Sequence, residues 1–319
     1  MPVEMSAREA YGRTLVELGR ENRDIVVLDA DLSRSTMTSL FAREFPDRFF
    51  NCGIAEQNMM GIAAGLAASG KTVFASTFAV FATSRCFDQL RMSIAQPQLN
   101  VKIVACHGGI TVGEDSFSHH SIEDLALTTS LPGLTVIVPA DAIETAQAVK
   151  AAAATSGPCY IRLGRPKTPL VYAEDYRFTP GQAVTMRPGS DATIIAIGIM
   201  VALALEAAES LTSQGIDCRV LNMPTLKPID RDAIVQAASE TGAIVTAEEH
   251  LEHGGLGSRV SQIVSRYRPV PMSFVAIKDT YAQSGKPHEL LKRYGLTAED
   301  IERAVQSVIP RKLSDQAHR

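Results

Sequence analysis

The sequence of 319 residues lacks several features that would assign it to a large class of proteins. It has no run of about twenty apolar residues and no apolar segment near its start, so we expect neither a membrane span nor a secretion signal. Its five cysteines are an odd number, widely spaced and without a C-x-x-C pair, which indicates reduced thiols in the cytoplasm. It has no block of Lys or Arg, and its formal net charge is −4. This balance argues against nucleic acid or an anionic membrane as the main partner.

The motifs of several common enzyme classes are also missing. There is no G-x-x-x-x-G-K-[ST], no G-x-G-x-x-G after a strand, no H-E-x-x-H and no G-x-S-x-G. The nearest glycine cluster, residues 254–257, opens a predicted helix and has two interpretations. It either binds an anion at the helix N-terminus or lets the helix pack closely on a strand, and we favour packing. His250 and His253 have no third ligand nearby, so we predict no metal there.

The sequence does contain a repeated alternation of short apolar runs and Ala-rich helical stretches. The apolar runs lack in/out alternation, which is typical of strands buried on both faces of a mostly parallel sheet. The predicted strands are 25–32, 72–76, 101–107, 135–140, 159–163, 192–198, 218–223, 243–250 and 272–277, and the predicted helices are 57–69, 141–154, 200–213 and 231–239. A proline-rich stretch without a long element interrupts this rhythm. We therefore predict two α/β domains, 1–165 and 190–319, joined by a linker over 166–189.

The first stretch with chemical content is 51–58, in which Glu56 leads into an Ala- and Gly-rich apolar helix. A carboxylate at a helix start is stabilised by free N–H groups and by the helix dipole, and this purely structural interpretation stays open. A glutamate that enters apolar surroundings also loses water, which favours its protonated form. Glu56 is therefore a candidate for holding or sharing a proton.

Two further stretches follow the ends of predicted strands. Phe78 and Phe81 are three residues apart and would share a helix face, either as plain core or as a platform for a flat heteroaromatic ring. Residues 107–120 contain three histidines, two acids and three glycines at the edge where open α/β sheets place their ligands. This composition suits a polar, anionic small ligand.

Taken in chain order, these stretches resemble the C-terminal half of transketolase, a thiamine diphosphate enzyme. The resemblance extends over essentially the whole chain, and its matching segments are SAREAYG (6–12), DADL (29–32), GIAEQ (53–57), VGED (112–115), PAD (139–141), SG (284–285), ELL (289–291) and YGL (294–296). It implies a pyrimidine-binding domain with a mostly parallel sheet, followed by the smaller transketolase C-terminal domain.

The resemblance also implies roles for matching positions. Glu56 would bond N1′ of the aminopyrimidine and drive its amino–imino switch, while the carbon chemistry would belong to the cofactor. The implied catalytic residues are Glu56 and His119, and the implied cofactor-binding residues are Glu56, Phe78, Phe81 and Asp31. The implied substrate-binding residues are Arg8, Ser35, His107 and Arg165 for a phosphate, and Asp115 and His119 for sugar hydroxyls. Two arginines with an imidazole and a hydroxyl suit a phosphate dianion.

The sequence departs from the family pattern beside the substrate positions. Where the family often reads Gly-Glu-Asp-Gly-(Pro or Ala)-(Thr or Ser)-His-Gln, this chain has Ser116, Phe117 and His120 at the changed positions. Ser84 stands where the family has a further aromatic residue. These changes leave the sugar open, with central-pathway pentose phosphates and a specialised ketose as the alternatives.

The family motif Gly-Asp-Gly, which holds diphosphate and Mg²⁺, does not occur in this sequence. The resemblance therefore implies a second polypeptide, an N-terminal transketolase subunit that carries Gly-Asp-Gly and the ligands of the metal, most simply in an α2β2 assembly. The leading hypothesis is the C-terminal subunit of a split transketolase that transfers a two-carbon ketol unit from a ketose to an aldose. The alternatives are the β subunit of a 2-oxo acid dehydrogenase, a fragment of a deoxyxylulose phosphate synthase and a non-catalytic regulatory or binding subunit.

Overall fold

The structure, a computed structural model, describes residues 3–312 of the chain. Its strands are β1 (Glu4–Met5), β2 (Ile25–Asp29), β3 (Phe49–Asn51), β4 (Thr72–Phe78), β5 (Val101–Cys106), β6 (Thr135–Ile137), β7 (Cys159–Arg162), β8 (Thr168–Pro169), β9 (Val184–Arg187), β10 (Ala192–Ala196), β11 (Cys218–Asn222), β12 (Thr225–Lys227), β13 (Ile244–Leu251) and β14 (Met272–Ile277). Its α-helices are α1 (Ala7–Glu21), α2 (Ser33–Thr36), α3 (Ser39–Glu44), α4 (Glu56–Ala68), α5 (Asp124–Ser130), α6 (Ala142–Ala154), α7 (Met200–Thr212), α8 (Arg231–Thr241), α9 (Leu256–Tyr267), α10 (Pro287–Arg293) and α11 (Ala298–Val308). Two π-helical segments cover Phe81–Arg85 and Gln89–Ala95, and short 3₁₀ turns cover Pro46–Arg48, Gly113–Asp115 and Ile309–Arg311.

Two mostly parallel sheets organise these elements. The larger sheet has seven strands in the order β12-β6-β7-β5-β4-β2-β3, and the smaller has five in the order β14-β13-β10-β11-β9. Only β12 and β9, both at sheet edges, pair antiparallel to their neighbours in these two sheets. The predicted α/β class is confirmed, and every predicted strand is present, because near-continuous apolar runs are typical of strands buried on both faces of a parallel sheet.

The sequence analysis missed the short or polar elements. Helix α1 and the strands β3, β9 and β12 were not predicted, and β9 adds a strand to a stretch assigned to the linker. Strand β12 comes after β11 of the smaller sheet but pairs with β6 of the larger one, so the second half of the chain contributes an edge strand to the first sheet. The predicted domain bounds remain a prediction.

Helices cover both faces of the seven-stranded sheet. Helix α4 packs on one face through buried Met59, Met60 and Ala63, while α1 and α6 cover the other through side chains that include Tyr11 and Val149. The chain runs from β2 to β3 on one side and then returns across β2 to β4. In open α/β sheets, such a reversal of winding places the ligand crevice outside the carboxyl ends of the strands, which here are β2, β4 and β5.

Candidate active site

Aromatic rings and imidazoles form a shelf at the carboxyl ends of β4 and β5. Phe78 is the last residue of β4 and stacks on His107, with ring centroids 3.8 Å apart and planes inclined by 20°. Phe78 and Phe81 are also nearly parallel, at 5.8 Å and 15°. The ring of His119 meets Phe81 edge-on at 5.3 Å. The predicted shared helix face is wrong, because Phe78 ends a strand and Phe81 begins a π-helical segment, but the two rings do lie together.

Glu56 begins helix α4 and is 2% exposed. One of its carboxylate oxygens lies 2.8 Å from a guanidinium nitrogen of Arg85. The Arg85 guanidinium also lies over the Phe81 ring, 4.5 Å from its centroid. Arg85 thus links the buried carboxylate to the aromatic shelf. The sequence analysis expected only apolar surroundings and missed Arg85, which belongs to the π-helical segment.

Arg8 contacts two other predicted phosphate-site residues through their backbone. Its guanidinium donates to the backbone carbonyl of Ser35 at 2.7 Å and to the backbone carbonyl of Arg165 at 3.0 Å. Arg165 in turn donates to the carbonyl of Val112 and lies 3.5 Å from the carboxylate of Glu114. Residues from α1, α2 and the segment after β7 therefore lie together near the carboxyl ends of the strands of the larger sheet.

His107 stands between this cationic group and the shelf. Burial, assisted by the charges of Arg8 and Arg165, lowers the pKa of His107 to about 3, so its ring is neutral at physiological pH. Its Nδ1 lies 3.0 Å from Sγ of Cys106. Its backbone has a φ of 61°, a left-handed conformation that a non-glycine residue adopts at a cost. A neutral imidazole held in a strained loop beside two arginines is a suitable hydrogen-bonding group for an anion.

Asp115 and His119 belong to the loop that follows. Asp115 ends a 3₁₀ turn, is exposed, and lies 3.9 Å from Arg165. Ser118 hydrogen-bonds Nδ1 of His119 at 2.9 Å. Between them, Ser116 has a φ of 66° and a ψ of −169°, a region that suits glycine almost alone. The backbone at position 116 thus retains a glycine-like conformation although the sequence carries serine there.

Asp31 lies just beyond the carboxyl end of β2. Its carboxylate accepts from the side-chain amide of Asn51 at 3.0 Å, and its backbone has a φ of 65°. The neighbouring Asp29 is fully buried and accepts hydrogen bonds from Thr36 and Thr38, which fix the turn into α2. Asp31 is therefore held at the crevice by Asn51, next to the turn that positions Ser35.

Both halves of the chain match domains of one enzyme family. Residues 3–170 match the transketolase pyrimidine-binding domain, and residues 181–301 match the transketolase C-terminal domain. The chain belongs to the transketolase family.

Similar transketolase proteins include separate subunits of about this length. The chain is 42% identical to the 6-deoxy-6-sulfo-D-fructose transketolase subunit SqwH of Clostridium sp. (strain MSTE9), over 96% of this chain and 95% of that protein. It is 41% identical to one of the subunits of the apulose-4-phosphate transketolase of Phocaeicola vulgatus, over 93% of this chain and 95% of that protein. By contrast, it spans 49% of human transketolase.

A solved structure supports the same assignment. The chain is 54% identical to a protein described as a split gene transketolase, inactive beta4 tetramer, with a TM-score of 0.91 over 97% of this chain and 100% of that one.

The described residues fit the pyrimidine end of thiamine diphosphate, the cofactor of the transketolase family. Phe78 and Phe81 offer a flat apolar surface, and the buried carboxylate of Glu56 is connected to it through Arg85. Among residues 3–312, no group of three or more His, Cys, Asp or Glu side chains is placed to hold a metal ion. The ring end of the cofactor therefore has candidate partners on this chain.

The glycine cluster at 254–257 has a structural explanation. The carboxylate of Glu248 accepts from the backbone N–H groups of Leu256 at 2.7 Å and Gly257 at 2.8 Å, at the start of α9. Buried His250 accepts from the N–H of Ala126 at 3.4 Å. The N-terminus of α9 is occupied by a carboxylate of the chain itself. Close packing of the helix on the sheet also holds at Gly257, where a Cβ would lie 2.7 Å from Phe274 and 3.0 Å from Thr246. In the part of the chain from residue 3 to residue 312, no helix is long and apolar enough to cross a membrane.

Proposed function

We propose that this chain is the C-terminal subunit of a split, cytoplasmic transketolase that depends on thiamine diphosphate and Mg²⁺. With a separate N-terminal subunit, it transfers a two-carbon ketol unit from a ketose or ketose phosphate to an aldose. The observation that carries the proposal is the convergence of Arg8, His107 and Arg165 on the edge that also holds the Phe78–Phe81 shelf. A shelf for a ring beside a cradle for an anion is what a cofactor-bound sugar phosphate requires.

The residues of the shelf act on the cofactor ring. Phe78 and Phe81 hold its pyrimidine by stacking, and Glu56 exchanges a proton with a ring nitrogen from a buried position. When bound, thiamine diphosphate supplies the carbon that carries the ketol unit between sugars. Arg85 pairs with the Glu56 carboxylate and lies over the Phe81 ring, so it fixes the carboxylate beside the shelf.

The residues of the cradle bind the sugar. Arg8 and Arg165 attract the phosphate, and the neutral ring of His107 donates a hydrogen bond to it. Asp115 and His119, on the loop over the shelf, contact the sugar hydroxyls. Because His107 is neutral, the positive charge of the cradle comes from the two arginines.

A second subunit completes the site. The sequence contains no Gly-Asp-Gly motif, so the ligands of the diphosphate and of Mg²⁺ come from the N-terminal partner, most simply in an α2β2 assembly. The description of the similar split-gene structure as an inactive tetramer of β subunits supports this division of labour.

The class of sugar follows from the cradle. The substrates named for the two similar subunits, a 6-sulfo-fructose and apulose 4-phosphate, each carry a tetrahedral anion away from the reacting carbonyl. We infer that this chain serves a ketose with such an anionic group, while Ser116, Phe117 and His120 tune which sugar enters.

Affinity purification from the native host tests the proposal. The tagged chain is expected to retain a stoichiometric partner that carries Gly-Asp-Gly, and the complex is expected to transfer ketol units in an assay with phosphorylated, sulfonated and neutral ketoses. Recovery of a dehydrogenase α subunit would move the activity to oxo-acid decarboxylation. Recovery of no partner would favour a regulatory or binding role.

A further inference from the structure

Two neighbouring glutamates on β13 are both almost completely buried, at 1% exposure for Glu248 and 3% for Glu249. Successive side chains of a strand point to opposite sides, so these two carboxylates serve different parts of the molecule. Glu248 caps helix α9 within its own sheet unit. Glu249 instead reaches the loop after β5 of the larger sheet, where one carboxylate oxygen accepts from the backbone N–H of Thr111 at 2.6 Å.

The glycines of that loop are required by this contact. A Cβ on Gly109 would lie 2.1 Å from the carboxylate carbon of Glu249, and Gly109 has a φ of 82°. A Cβ on Gly108 would lie 2.5 Å from Nε of Arg162. A real Cβ atom does not approach another heavy atom so closely, so any side chain at either position would displace its neighbour. The sequence analysis assigned the glycines of this loop to an anionic ligand, but Gly108 and Gly109 instead make room for two charged side chains of the protein itself.

Arg162, the last residue of β7, binds three groups around this loop. Its guanidinium donates to the backbone carbonyl of Glu249 at 2.8 Å and to that of Ser121 at 3.0 Å, and it pairs with the carboxylate of Asp124 at 3.0 Å. Ser121 and Gly109 exchange backbone hydrogen bonds. The loop is therefore held on one side by the 120–122 segment and on the other by a carboxylate from the smaller sheet.

We propose that Glu249 is a positioning residue, through which the second half of the chain fixes the loop over residues 107–111 and so holds His107 in its left-handed conformation against Phe78. The proposal rests on the proposed function in so far as it concerns catalysis, because His107 is the cradle imidazole. In this arrangement the smaller sheet determines where a substrate-binding group of the larger sheet stands.

The test compares Glu249→Ala with Glu248→Ala, a matched control one residue away. In the isolated full-length chain, Glu249→Ala is expected to accelerate amide hydrogen exchange over residues 107–113 about tenfold or more, because the N–H of Thr111 loses its carboxyl acceptor. In the complex with its partner, the same variant is expected to raise KM for an anionic ketose about tenfold and to leave KM for thiamine diphosphate unchanged. Glu248→Ala is expected to lower Tm without either change. Glu249→Gln, which keeps an acceptor oxygen, is expected to restore most of both losses.

The outcomes separate the two proposals. Equal acceleration of exchange in both alanine variants, or none in Glu249→Ala, would overturn the positioning role. A rise of both KM values together in Glu249→Ala would overturn it as well, because that pattern reports general damage. A wild-type complex that lacks ketol transfer, while the exchange difference between the variants is present, would refute the proposed function and leave the hold on the loop standing.

Discussion

At the carboxyl ends of the strands of the seven-stranded sheet, arginines, imidazoles and phenyl rings lie together around the proposed site. At the carboxyl ends of the strands of the five-stranded sheet, a side chain of the chain itself occupies the start of the following helix. The N-terminus of α9 binds Glu248, a carboxylate from the strand that precedes it. Helix α4 of the larger sheet begins instead with Glu56, which faces Arg85 and the shelf. The two edges share a parallel topology, so the topology alone does not create a site.

The backbone differs between the two edges in the same way. Within residues 3–312, the non-glycine residues with positive φ are all in the first half of the chain, and they include Asp31, His107 and Ser116 beside the crevice. Such conformations persist only where surrounding contacts enforce them, and they concentrate at functional sites. The second sheet carries no comparable strain at its described non-glycine residues. The comparison therefore separates the strand ends that carry the proposed site from those at which Glu248 occupies a helix N-terminus.

Among the substitutions at the proposed site, replacing Glu56 by Gln should have the largest effect on activity. The side chain keeps its shape but no longer exchanges a proton, so we expect kcat of the assembled enzyme to fall about 10²–10⁴-fold. Tm should change little if the amide still contacts Arg85. Ketol-transfer kinetics and a thermal melt of the same preparation check this, and an unchanged kcat would remove Glu56 from the chemistry.

Replacing Arg165 by Ala should raise KM for an anionic ketose about 10–100-fold, because a charge-assisted contact contributes roughly 1.5–3 kcal/mol. KM for the neutral ketose should change far less. Arg20→Ala is the control, since Arg20 pairs with Glu44 on the exposed surface. Equal increases of KM for both substrates would mean that Arg165 supports the 112–115 loop through Val112 and does not bind the anion.

Replacing Glu248 by Gln tests the supporting edge through its pH dependence. Burial raises the pKa of Glu248 from 4.5 to about 7, against the backbone amides of Gly257 and Leu256. Between these two values the folded state binds more protons at this group than the unfolded chain, so the free energy of unfolding falls as pH rises. Across this pH range the free energy of unfolding of the wild type should fall by about 3 kcal/mol at this group, since each pKa unit corresponds to about 1.4 kcal/mol. Glu248→Gln should remove this part of the pH dependence.

Urea denaturation at several pH values between about 4.5 and 7.5, which brackets the two pKa values, measures that slope. Glu206→Gln, at an exposed position of α7, is the control for the same change of side chain outside the core. Parallel curves for wild type and Glu248→Gln would show that Glu248 stays ionised throughout this range.

The sequence predicted the larger elements and missed the contacts between distant segments. The parallel strands were predictable because apolar runs such as 101–107 are short and rich in β-branched residues, which favours a strand over a buried helix. Glu56, Phe78 and Phe81 were candidates from their local sequence, whereas their roles came from the family resemblance, which carries identities but no contacts. Arg85 lies 29 residues from Glu56, and Thr111 lies 138 residues from Glu249, so no local pattern indicates either pair. The sequence analysis placed Phe78 and Phe81 together for the wrong reason. It assumed a helical spacing, whereas Phe78 ends a strand and Phe81 begins a π-helical segment.

Replacing Ser116 by Gly should give the smallest effect, about 1 kcal/mol of added stability. The φ of 66° and ψ of −169° at this position disfavour any side chain, while glycine adopts them without strain. Ser116→Ala is the control, because it removes the hydroxyl and keeps the Cβ, and it should bring no gain. Denaturant unfolding of the three proteins measures the difference. Equal stability of the glycine and alanine variants would show that the loop relaxes around Ser116 and stores no strain. If the glycine variant is more stable but binds the ketose less tightly, the strained conformation of Ser116 holds Asp115 and His119 in place. The difference in the free energy of unfolding then measures how much stability the protein loses to that conformation.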